Sequence, residues 1–168
     1  IQEPVVVGPE ITPERTVFAL FLQELTSDPA LTVGALVNVG ALAEFSEYLK
    51  NLFGGDTKLA AGSILGISAV LSGLIDNIPY VASMSPVVAD LSVGLVGRQE
   101  HVLWWSLAFG ADFGGNATII GASANVVAIG LAAKAGHHIS FWKFAKYGII
   151  VTAVSIAMVY PYILFLYF

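Results

Sequence analysis

The stretch "LSGLIDNIPYVASMSPVV", residues 71–88, decides how the chain folds. It is apolar enough for a helix, yet Asp76 and Asn77 stand inside it, followed by Pro79 and Pro86. Proline has no N–H and disfavours helical geometry at the residue before it. Pro79 therefore interrupts a helix and leaves the carbonyl near Ile75 without its usual donor. Asp76 or Asn77 can cap the new half-helix that Pro79 opens. The stretch reads as a helix break with a carboxylate beside a helix start.

The surroundings make this break unusual. From Leu59 to Gly97 the only ionisable side chains are Asp76, Tyr80 and Asp90, and from Val102 to Ala133 the only charged one is Asp112. The chain is 57% hydrophobic and 11% charged, whereas a soluble domain is about a quarter charged. Apolar runs of this length are read as membrane spans. In lipid, broken helices persist only where protein or a water-filled cavity covers the freed backbone groups. A charge there costs at least about 2.5 kcal/mol on insertion scales, which favours a working role for Asp76 over a plain cap. Asp112 stands near an apolar stretch's end, where function and a solvated helix end weigh equally, and Asp90 reads as a helix-end charge.

Residues 1–16 carry Pro4, Pro9 and Pro13 and read as a linker, with a membrane domain over 17–168. "VFALFLQEL" and "ALTVGALVNVGALAEF", parted by Ser27-Asp28-Pro29, are each too short to span a bilayer alone. "SEYLKNLFGGDTK" is an amphipathic interfacial segment ending at Gly54-Gly55, and Glu44 and Glu47, on one helical face after the apolar run, emerge toward headgroups. Residues 59–75 form a span whose Gly62, Gly66, Ser63, Ser68 and Ser72 suit close helix contacts. Residues 80–97 resume the apolar run, "RQEH" is a polar turn, and Trp104 and Trp105 suit an interface. "KAGHHISFWKFAKYG" is the most basic connection and is expected on the cytoplasmic side. There His137, His138, Phe141, Trp142 and Phe144 suggest a helix lying in the interface. "IIVTAVSIAMVYPYILFLYF" closes the chain as a span.

A second break lies at "GGNATIIGASAN", residues 114–125. Gly114, Gly115 and Gly121 permit close approach, while Asn116, Thr118, Ser123 and Asn125 offer neutral donors and acceptors. Two discontinuous helices with freed carbonyls are how secondary transporters hold substrate and coupling ion near the midplane. Other classes find little support. The net charge of −5 comes largely from the first third, no basic patch suits nucleic acid, and the absence of cysteine removes disulfides, thiolate metal sites and cysteine nucleophiles. The start at Ile1 without a signal-peptide pattern suggests a processed chain or a fragment.

"IDNIPYVASMSPVV" followed by "GADFGGNATIIGASANVVAIGLAAKAGHHISFWKFAKYG" resembles the C-terminal half of one branch of the ion transporter superfamily. That branch comprises arsenite permeases, P-proteins and NhaD-type Na⁺/H⁺ antiporters; the superfamily also contains citrate and dicarboxylate carriers. The resemblance covers roughly residues 31–168 and is strongest over 71–148. It implies an all-α integral membrane protein, one half of an inverted-repeat pair with a re-entrant hairpin and a discontinuous helix. By position, Asp76, Asn77 and Ile78 match the Ser-Asn-Thr signature at the hairpin tip of dicarboxylate carriers. Gly121 to Asn125 match the unwound part of the broken helix. The sequence departs from the family where "QELTSDPA" interrupts the first span, 17–45, and in lacking the upstream repeat. A missing N-terminal repeat or a homo-oligomer is therefore the expected partner.

The expected function is secondary active transport, ion-coupled, of an anion, arsenite, or Na⁺ against H⁺. Asp76, with Asp112 as a second candidate, would take up the coupling H⁺ or Na⁺, exchanging a proton for a cation. Asn77, Asn116, Thr118, Ser123 and Asn125 would shape the binding site, with Na⁺ near Asp76 and Asn125. Pro79, Gly115 and Gly121 break the helices. No catalytic residue, cofactor or nucleic-acid partner is expected; the partners are the lipid bilayer and a small ion or anion, and the location is the cell (inner) membrane. Two alternatives stand beside this reading: an intramembrane aspartyl hydrolase using Asp76 and Asp112 as an acid/base pair, and a structural membrane subunit that does not transport.

Overall fold

The computed structural model describes residues 40–168. The expected linker and the apolar stretches before Gly40 lie outside the described residues. Those described are helical, with no strand among them: α1 (Ala41–Phe53), α2 (Thr57–Ser72), α3 (Asn77–Leu91), a 3₁₀ turn (Gly97–His101), α4 (Val102–Gly115), α5 (Ser123–Lys134) and α6 (Phe141–Tyr167).

Local chemistry sets the boundaries. Helix α1 ends at Gly54, whose φ of 55° suits glycine and lets its N–H return to the Lys50 carbonyl. Asp56 caps α2, its Oδ1 accepting from the N–H groups of Lys58 and Leu59 at 2.9 and 3.1 Å. Asp76 caps α3 in the same manner, accepting from Ile78 N–H at 3.3 Å. Pro79 falls in the first turn of α3, where no intrahelical donor is required. Pro86 lies inside α3 and the helix continues past it. Hydroxyls bond carbonyls of the turns before it, Ser83 Oγ to Pro79 O at 2.9 Å and Ser85 Oγ to Val81 O at 2.7 Å. The apolar run expected to continue to residue 97 stops as helix at Leu91, since Gly94 and Gly97 turn the chain at φ 89° and 65°.

Helix α4 is the hub. It packs most extensively on α2 and also against α3 and α6, while α2 and α3 scarcely touch each other. The closeness of α2 and α4 follows from their small residues. A Cβ added at Gly110 would sit 2.5 Å from the Leu65 carbonyl oxygen, and one at Gly114 would collide with the backbone of Ala69. Lipid is as apolar as leucine, so such packing, rather than exclusion of water, holds helices together in a membrane. The core between these helices contains Ile64, Leu65, Val87, Val88, Leu103 and Leu107. Helix α1 lies on α3 through buried Leu49 and Phe53. A 2.7 Å ion pair from Lys50 Nζ to Asp90 Oδ2 joins the two helices, but it is half exposed and adds little stability.

Helices α2 to α5 have 12 to 16 residues, short of the roughly 20 needed to cross a bilayer. Helix α6, with 27 residues, is the one described helix long and apolar enough to cross. It also corrects the expectation of a separate interfacial helix: Phe141, Trp142 and Phe144 form the first turn of α6 itself. Ser140 Oγ caps that turn from Lys143 N–H at 3.3 Å, and no breaker stops it. Gly148 lies within the helix because it packs against the backbone of Asn116 and Ala117.

Candidate functional site

The two breaks expected from the sequence are connections between helices, residues 73–76 between α2 and α3 and residues 116–122 between α4 and α5. The fold sets them against each other. Because Gly110 and Gly114 bring α4 onto α2, the two helices end side by side, and the connections leaving them meet.

Hydrogen bonds fix the meeting. Thr118 Oγ1 donates to the Gly73 carbonyl at 2.5 Å and accepts from Gly121 N–H at 3.1 Å. Asn125 Nδ2 donates to the carbonyls of Gly115 at 2.8 Å and Thr118 at 2.9 Å, tying the start of α5 back to the end of α4. Ser72 Oγ donates to the Ala111 carbonyl at 2.6 Å, and from α6 Thr152 Oγ1 donates to the Phe113 carbonyl at 2.8 Å. No buried side-chain nitrogen or oxygen among the described residues lacks a partner. The carbonyls of Gly73, Gly115 and Thr118, freed where the helices break, are thus held by side-chain donors, as a helix break in an apolar medium requires.

The glycines make this possible sterically. A Cβ on Gly121 would lie 2.8 Å from the Gly115 oxygen and 3.0 Å from the Ser72 oxygen; one on Gly115 would meet Asn77 Nδ2 at 3.5 Å. Asn77 therefore stands beside the second break although it opens α3. Asp76, one residue earlier, is partly buried, and its second carboxylate oxygen has no partner among the described residues.

Asp76, Asn77, Thr118 and Asn125 consequently belong to one region built around Gly115 and Gly121. Ser123 is exposed at the first position of α5, a helix that buries none of its residues. Asn116 turns toward the first turns of α6, in a cleft with Lys143 and Tyr147. Asp112 is exposed on the face of α4 opposite Gly110 and Gly114, 3.6 residues per turn setting it half a turn from both. Among the described residues no group of three or more His, Asp or Glu side chains is arranged to hold a metal ion.

Three supporting residues had no expected part in the site. Ser72 stood among small residues at helix spacing, Gly73 stood in the first break, and Thr152 is, with Ser155, one of two aliphatic hydroxyls within an apolar span. The hint in Thr152 was its polarity at a position buried by α4. Beside these residues a groove of about 860 Å³ runs between α2 and α6, lined mainly by apolar and small side chains and reaching Gly73, Ala117 and Thr118.

A family model described as citrate transporter matches residues 18–110, more than half of the chain and inclusive of the first break. The chain belongs to the citrate transporter family. Relatives of this family member extend the match across the second break. An uncharacterized transporter of Mycobacterium bovis is 52% identical over 140 residues, covering 82% of this chain and 32% of that protein. A 46 kDa membrane protein of Mycobacterium leprae is 48% identical over 130 residues, covering 76% and 30%. The human P protein is 45% identical over 102 residues, covering 60% and 12%. The chain thus spans about a third of the length of its mycobacterial relatives. No solved structure matches it significantly. The family and the names of these relatives are those of transporters and a membrane protein, and the helical architecture is consistent with them.

Proposed function

We propose that the chain forms the substrate- and ion-binding portion of a secondary active transporter, one half of an inverted-repeat pair whose re-entrant hairpin is α2–α3 and whose discontinuous helix is α4–α5. The membrane domain is taken as residues 17–168, following a linker over 1–16, in the cell (inner) membrane. The observation that carries this reading is the mutual bracing of the two breaks, Thr118 to Gly73, with the Asp76 carboxylate at the adjacent helix start.

In this reading Asp76 takes up the coupling H⁺ or Na⁺. Its free oxygen and the Asn125 side-chain oxygen are the candidates for a Na⁺ ligand set, since the Asn125 amide nitrogen is occupied by two carbonyls. Asn77 and the carbonyls around Gly115 and Gly121 contribute to the substrate site, with Ser123 at the uncapped start of α5. Thr118 acts through positioning, because its hydroxyl both donates and accepts within the protein. Asn116 borders the same connection from the α6 side. Asp112 serves less well as a coupling group, since it faces away from α2, and the same placement disfavours an Asp76–Asp112 hydrolytic pair. The transported species falls among citrate and other anions, arsenite, and Na⁺ exchanged for H⁺.

The test is uptake by the full-length protein in proteoliposomes, with a panel of Na⁺, Li⁺, arsenite and citrate under imposed proton or sodium gradients. Gradient-dependent movement of one of these, lost in Asp76→Asn with membrane insertion unchanged, is the expected result. Wild-type exchange by that variant would dismiss the role of Asp76. Flux indifferent to both gradients would dismiss ion coupling.

A further inference from the structure

A cleft of about 410 Å³ lies between the first turns of α6 and the second break. Its walls include Asn116, Ile139, Lys143, Phe144, Tyr147 and Val151, and its volume is within the range of ligand-binding clefts. It joins a cation at one end to an apolar trough leading away, and unlike Lys50, which lines another groove but is paired with Asp90, its cation has no carboxylate partner among the described residues. After Asp112 the chain carries Lys134, Lys143 and Lys146 but no Asp or Glu. The single ion pair among the described residues joins Lys50 and Asp90, so Lys143 has no carboxylate partner there. From Lys143 to Val151 the trough descends α6 by about 12 Å at 1.5 Å per residue. Next to Lys143, Trp142 is 79% exposed, as a residue at the headgroup level would be.

We propose that this cleft binds an anionic phospholipid, with its phosphate at Lys143 and one acyl chain along Phe144, Gly148 and Val151. Charge complementarity selects an anion, and basic pockets beside transmembrane helices are suited to such headgroups. The apolar trough selects an amphiphile over a free anion, because a small ion would leave Phe144, Gly148 and Val151 uncovered. Tyr147 Oη and Asn116 Nδ2 supply the remaining polar contacts; the Asn116 amide is otherwise engaged only by a 3.4 Å bond to the Asp112 carbonyl. Because Asn116 is the first residue of the connection between α4 and α5, the lipid touches that connection directly. The inference rests on the chain being a membrane protein and is independent of which ion it carries.

The test is native mass spectrometry of the full-length protein, with phosphatidylglycerol and phosphatidylcholine of matched chains and with soluble glycerol phosphate as competitor. Wild type should retain phosphatidylglycerol about fivefold better, the effect of one basic residue on anionic lipid. Lys143→Gln should erase that preference, while Lys134→Gln, outside the cleft, should keep it. Val151→Trp should lower retention of both lipids by filling the trough. Equal retention of the two lipids by wild type, an equal loss in both lysine variants, or displacement of the lipid by glycerol phosphate would each overturn the proposal. The last outcome would mark a site for free anions. Unchanged helical content and unfolding temperature in Lys143→Gln, whose side chain is exposed, would confirm that the variant is folded.

Discussion

The hydroxyl of Thr118 donates to the carbonyl of Gly73 at 2.5 Å, across 45 positions of sequence, and so joins the two helix breaks. The same oxygen accepts from Gly121 N–H. Thr118→Val keeps the shape but strands an acceptor and a donor, which should cost about 1–3 kcal/mol. Thermal unfolding in detergent should show that loss, and Thr118→Ser should restore most of it. A valine variant as stable as wild type would mean that water or lipid headgroups serve these groups instead.

On the proposed function Asp76 has two separable duties. As a helix cap it needs one acceptor oxygen, which asparagine also provides, and the two rank alike at N-caps. Asp76→Asn should therefore leave stability within about 0.5 kcal/mol of wild type and abolish coupled transport, whereas Asp76→Ala should also lose about 1 kcal/mol of stability. Comparing unfolding temperature with proteoliposome flux separates the cap from the charge.

The α2–α4 contact is backbone against backbone at Gly114 and Gly110. Gly114→Ala should force the helices apart and destabilise the protein by about 1–3 kcal/mol, even though alanine is the better helix former. Since Ser72, Ala111 and Gly115 lie at the same end, the separation should also loosen the meeting of the breaks. Transport should fall together with stability, in contrast to Asp76→Asn.

Asn125 donates to two carbonyls through one nitrogen. Asn125→Asp replaces that donor by an acceptor-only group facing Gly115 O and Thr118 O, and should cost at least about 2 kcal/mol. A reconstituted protein should then show faster amide exchange in the segment 116–125. Unaltered exchange would indicate that α5 is held in place by something other than this amide.

Both breaks were legible in the sequence because polar residues, prolines and clustered glycines within a long apolar run oppose a continuous helix there. The cap at Asp76 and the end of α1 at Gly54 were legible because each depends on neighbouring residues alone. Which break residues face one another was not legible. Asn116, Thr118 and Asn125 look alike in sequence, yet only the packing of α2 on α4 sends Thr118 and Asn125 to one side and Asn116 to the other. Thr152 and Ser72 escaped for a related reason: their acceptors, Phe113 O and Ala111 O, are each 39 residues distant. The interfacial-helix expectation for Phe141 to Phe144 failed because amphipathic composition does not record continuity with the apolar run that follows.

Apart from those held at positive φ in turns, the glycines differ in the room around them. Gly66 and Gly130 face open space, whereas Gly110, Gly114, Gly121 and Gly148 leave no room for a methyl group. A scan of all single substitutions, scored by growth or expression, should find the first pair permissive and the second group almost closed. The chain's freedom to drift is thus decided by the distance between backbones rather than by polarity. A homologue carrying alanine at Gly114 or Gly148 would have to set its helices farther apart to accommodate it.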